Sequence, residues 1–181
     1  TFFAMIEAYA QHYKLGVSHL GRQEIGLARK HLKAAVDAKP AYVAARLALA
    51  AACDLMAQHG DAVEQIDAVI GMGTTEASRA ALTCAAGFCL ERLGNYGAAA
   101  FRYEQALAEG SAEDVFAHYR LAAIYLAHNE LEKAVEHHEA ILEVEPQEQA
   151  VRTSLAHLLQ ILGRHKEAVW EYEKALCMEP D

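Results

Sequence analysis

Residues 155–180, LAHLLQILGRHKEAVWEYEKALCMEP, decide the fold. The stretch has three parts: a pair of small or apolar residues at Leu155–Ala156, a turn signal at Leu162–Gly163–Arg164, and a block that opens on Ala168 and closes on Pro180. The same block stands elsewhere in the chain. AVEHHEAILEVEP ends at Pro146, 34 residues before Pro180, and ARKHLKAAVDAKP ends at Pro40. A further copy without the proline, AAFRYEQALAEGS, runs from Ala99 to Ser111. Upstream, the Leu–Ala pair recurs as Leu15–Gly16, Leu49–Ala50, Ala86–Gly87 and Leu121–Ala122. These small residues fall where two helices would cross closely. Turn signals separate the halves at HGD 59–61, LGN 93–95 and HNE 128–130. Such self-similarity at a fixed period marks a repeat array.

Composition agrees. Ala makes up about a fifth of the 181 residues and Pro only three, the best and the worst helix formers. The chain reads as all-helical, closely packed and soluble. The net charge of −9 argues against a phosphate backbone or an anionic membrane as partner, both of which need clustered cations. No run approaches the roughly 18 apolar residues of a membrane span. The four cysteines, 53, 84, 89 and 177, contain no CxxC pair and read as small buried hydrophobes of a reducing compartment. Cytoplasm is the default expectation, and a periplasmic home fits the residues almost as well. The chain opens on Thr1 rather than Met and is expected to be part of a longer one.

The pattern resembles the tetratricopeptide repeat, a 34-residue helix–turn–helix unit. The fifth copy carries the likeness best, with Leu155, Ala156, Leu159, Gly163, Ala168, Tyr172, Ala175 and Pro180. The fourth shows Leu121, Ala122, Tyr125, Ala134 and Pro146, and the third Gly87, Gly94, Ala99, Tyr103 and Ala106. The first keeps Leu15, Gly16, Ala28, Ala35 offset by one, and Pro40, and the second is degenerate from Val63 to Gly73. Five units near 9–42, 43–79, 80–114, 115–148 and 149–181 make residues 1–181 one array, with insertions around 71–79 and near 114. First helices are expected near 4–21, 41–58, 75–93, 112–128 and 147–162. Second helices are expected near 25–38, 61–71, 97–109, 131–144 and 165–178. The resemblance implies a right-handed superhelical solenoid whose first helices line a concave side.

The residues suggest no catalysis. GMG at 71–73 lacks the spacing and the lysine of a phosphate loop, and neither GxSxG nor HExxH occurs. None of the ten histidines lies three or four residues from another, the spacing of a metal pair on one helix. Cys84 and Cys89 lie on different faces of a helix. No enzyme, cofactor or metal is expected.

The resemblance places a peptide-binding groove on the second, fifth, ninth and twelfth residues of each first helix. Here that implies Tyr13, Val17, Leu47, Asp54, Cys84, Phe88, Glu91, Phe116, Tyr119 and His157, with Arg120 beside them. The Lys and Asn that clamp a terminal carboxylate in chaperone-binding members are replaced by Tyr13, Val17, Leu47 and Ala51. An apolar or amphipathic protein segment is therefore the expected ligand, with Asp54 or Glu91 meeting a basic residue. Two other readings stand: a docking region of a larger enzyme such as a glycosyltransferase, and a structural protein that self-assembles through uncapped ends near TFFAMIEA and Trp170.

Overall fold

The structure, a computed structural model, describes residues 2–110 and 115–177, with side chains from residue 8 onward. Ten helices occupy the described residues: α1 (Phe2–Gly21), α2 (Ile25–Ala38), α3 (Val43–Leu55), α4 (His59–Ile70), α5 (Glu76–Arg92), α6 (Tyr96–Glu109), α7 (Val115–Ala127), α8 (Leu131–Val144), α9 (Gln149–Ile161) and α10 (His165–Leu176). No strand is found among them. The expected start of the fourth first helix at 112, the closing Pro180 and the side chains of TFFAMI lie outside the described residues.

The chain forms two compact units, Thr1–Arg102 and Tyr103–Asp181. In the first, α1 packs on α2, α2 on α3, α3 on α4 and α4 on α5. In the second, α7 packs on α8, α8 on α9 and α9 on α10. The first core joins Ala28, Leu32 and Ala35 to Ala45, Leu49, Ala50, Cys53, Ala62, Ile66 and Cys89. The second buries Tyr103, Leu121, Ile141, Leu155 and Leu159 almost completely. Each large side chain buried in this way contributes about 1.5–3 kcal/mol. Alanine's small volume lets the helix axes approach. The limit is reached at Gly16, where an added Cβ would sit 2.5 Å from Leu32 Cγ.

The turn within each helix pair follows one design. A single left-handed residue follows the first helix: Gln23 (φ 61°), Ala57 (57°), Gly94 (82°), Asn129 (59°) and Gly163 (74°). Its N–H and the next one donate to carbonyls three and five residues back. Gly94 N donates to Glu91 O and Asn95 N to Leu90 O, both at 2.9 Å. Ala57 and Gln58 do the same to Asp54 and Cys53, also at 2.9 Å. This is the Schellman ending of a helix, which satisfies carbonyls the helix leaves unpaired. HGD 59–61 is therefore not the turn. His59 already starts α4, Gly60 lies in its first turn, and the chain reverses at Ala57. The repeat's register governs the position and overrides the local glycine signal.

A second periodic feature joins the two helices of a pair. The residue three before the Leu15–Gly16 position, and its counterparts, is polar in every repeat: His12, Arg46, Thr83, His118 and Arg152. Nineteen residues later the second helix answers. His12 Nδ1 lies 3.1 Å from His31 Nδ1, and His118 Nδ1 lies 2.9 Å from His137 Nδ1. Arg46 donates to Gln65 Oε1 at 2.8 Å and to the Pro40 carbonyl at 2.6 Å. Arg152 donates to Glu171 and, at 2.7 Å, to the Pro146 carbonyl. Arg152 and Glu171 are both buried, so each charge relies on the other. In the third repeat Arg102 turns instead to Asp67 on α4, 2.8 Å away.

Candidate functional site

In the second unit the outward face of α7 is apolar. Ala117, Leu121, Ala122, Ile124 and Tyr125 point into the core. Residues on the opposite face lie three or four apart, as one helical stripe does. They are Phe116 (48% exposed), Tyr119 (38%), Ala123 and Leu126 (39%). Phe116 is steadied edge-on by buried Tyr103, with ring centroids 6.3 Å apart. Arg120 is half-buried beside the stripe. The equivalent face of α9 is polar, with Thr153, His157 and Gln160 exposed.

Acids flank this stripe. Burial raises the Tyr119 hydroxyl pKa above its ordinary value, and the carboxylates of Glu148 and Glu145 add to the shift. Both belong to the turn between α8 and α9, the EPQE at 145–148. Sequence reasoning missed them as site residues. They close the repeat that α7 opens, and no periodicity within a single helix connects the two.

In the first unit, Val17 on α1 is 42% exposed and Ala51 on α3 is exposed. Tyr13, Leu47, Phe88 and Glu91 are half-buried. Tyr13 meets the edge of Tyr42 at 5.0 Å, and Tyr9 meets the same ring at 5.2 Å. Lys39 Nζ stands 4.6 Å over Tyr9, a cation on an aromatic face. Cys84 is only 7% exposed; its short side chain ends below the surface. Asp54 is already engaged. It accepts from His59 Nδ1 at 2.8 Å and from Arg92 at 3.0 Å, with Cys89 Sγ at 3.8 Å. Burial first, then the Asp54 charge, pushes the Cys89 thiol up to about 11, far from a reactive thiolate. Asp54 thus ties α3, α4 and α5 together.

The description "Tetratricopeptide repeat" matches residues 90–158 and again residues 150–181, together just over half of the chain. The chain belongs to the tetratricopeptide-repeat family. Its helix pairs are tetratricopeptide units of an all-α solenoid class, and the five left-handed turns mark their period. Among curated proteins, none matches the sequence. Among solved structures, a MamA protein superposes with a TM-score of 0.79 at 22% identity, covering 96% of this chain and 92% of its own. MamA from Desulfovibrio magneticus RS-1 gives 0.73 at 19% identity, covering 94% of each chain. YrrB, described as a TPR protein with an unusual peptide-binding site, gives 0.70 at 15% identity, covering 94% of this chain and 86% of its own. At such identities the likeness is one of fold. Among the described residues, no helix is long and apolar enough to cross a membrane.

Proposed function

We propose that this tetratricopeptide array is a non-catalytic docking module for a basic, amphipathic protein segment, seated on the α7 stripe. The observation that carries the reading is the exposed row Phe116, Tyr119, Ala123 and Leu126 with Glu145 and Glu148 at its side. Aromatic side chains held partly rigid by their neighbours make effective anchors, and a helix reads such a row with residues at three- and four-residue spacing. Arg and Lys on the same segment meet the two glutamates. Val17, Leu47 and Phe88 offer the first unit a separate apolar surface of its own; Asp54, held by His59 and Arg92, acts there as a structural tie. YrrB's described peptide-binding site is a precedent for the fold. The raised thiol of Cys89 also favours a binding role over thiol chemistry.

Panning a random peptide display library on the purified chain tests the proposal. Selected peptides are expected to combine apolar residues at helical spacing with Lys or Arg. Their affinity should fall about tenfold or more in a folded Phe116→Ala/Tyr119→Ala variant. Glu145→Lys/Glu148→Lys should weaken basic peptides and steepen no others. Selected peptides that bind the aromatic double variant as well as wild type would sink the reading.

A further inference from the structure

The paired histidines take no part in the surface described above, and the first pair has the geometry of a chelate. The Nδ1 atoms of His12 on α1 and His31 on α2 lie 3.1 Å apart, the separation of two nitrogens that share one ion on neighbouring coordination positions. Imidazole nitrogens bind late transition ions at roughly 2.0–2.1 Å, so an ion bound to both would subtend an angle of about 95–100°. That lies near the right angle between neighbouring ligands of a tetragonal or octahedral shell, the preference of Ni2+ and Cu2+. Both rings are partly exposed, which leaves an ion room for water ligands. His19 stacks on His31 with centroids 5.4 Å apart and planes 8° apart, and it turns its own Nδ1 to Glu24. The stacking fixes the plane of His31.

We propose that His12 and His31 form a two-imidazole site for a divalent late transition ion, clamping α1 to α2. Among the described residues no three His, Cys, Asp or Glu side chains are arranged to hold an ion, so water completes its shell. The spacing rule for metal-binding helices tests pairs on one helix; this pair joins two. The counterpart pair, His118 and His137, is an internal control. His118 is 8% exposed, and Tyr125 lies flat on His137 at 5.6 Å, so an ion has no open approach and the contact is a hydrogen bond.

Calorimetric titration of the full, tag-free chain with Ni2+ near neutral pH tests the assignment. Saturable binding of one ion is expected, with a higher melting temperature, because an ion that binds only the folded state stabilises it. His12→Gln and His31→Gln should each weaken binding about tenfold or more, and His118→Gln should leave it unchanged. In the unaltered chain, substoichiometric Ni2+ should broaden the imidazole NMR signals of His12 and His31 before those of His118 and His137; this readout needs no substitution to fold. No saturation by about millimolar Ni2+, binding that survives both substitutions, or broadening centred on other histidines would overturn the site and leave the 3.1 Å contact as a hydrogen bond.

Discussion

Ala57 carries a backbone conformation that its side chain disfavours. At φ 57° a Cβ crowds the adjoining carbonyl, and the equivalent positions in the third and fifth repeats are glycine. Ala57→Gly should therefore stabilise the chain by roughly 0.5–1 kcal/mol, read as a higher urea midpoint with unchanged slope. The opposite change, Gly94→Ala, meets no atom within 4 Å and should cost a similar amount through backbone strain alone. An unchanged midpoint in both would refute the argument. The turn at Ala57 was hidden in the sequence because Gly60, three residues on, carries the stronger local turn signal. At Gly94 and Gly163 glycine and turn coincide, and the sequence located them directly. Cys84 and Asp54 show the same limit at the candidate site. Register places both on the outward side of a helix, but only side-chain length and neighbouring charges show that one is covered and the other engaged.

At the scale of a helix pair, the crossing of α7 and α8 should respond to acid. His137 faces His118 and Tyr125 from α7, Glu104 from α6, and His138 and Lys133 on its own helix. Burial first, then the His118 ring, lowers its pKa from 6.5 to about 4, against the pull of Glu104. Above pH 6.5 the ring is neutral in both folded and unfolded chains and has no effect. Between that value and about 4 the unfolded chain takes up a proton that the folded chain refuses, so stability falls as pH falls. A shift of this size corresponds to about 3 kcal/mol, and partial exposure of the ring reduces it to roughly 2. Urea midpoints measured across this range should decline towards acid, and His137→Gln should flatten the decline; an equal slope in both proteins would refute the assignment. The helices themselves were legible to within a few residues, because five copies share one phase. The crossing pairs were not, since nineteen residues and a turn separate partners that no single-helix periodicity connects.

Within each unit the helix pairs share one plan, yet the polar contacts differ: in the first, His with His and Arg with Gln; in the second, His with His and Arg with Glu. Exchanging only His137 with Glu171 keeps composition, length and the rest of both helices. It would set a glutamate against His118 and a histidine against Arg152. The buried Arg152 would lose its carboxylate, and the exchange should cost several kcal/mol, about 3–5 by analogy with other broken buried pairs. Returning glutamate to position 171 alone should restore most of that loss, as read by chemical unfolding; a stable exchanged chain would refute the dependence. Repeats similar enough to share a register are also similar enough to pair wrongly while the chain collapses, each second helix finding a first helix that is not its own. A lock of different shape at adjacent crossings penalises such exchange, so the ion pair and the imidazole contacts serve as addresses that tell neighbouring repeats apart.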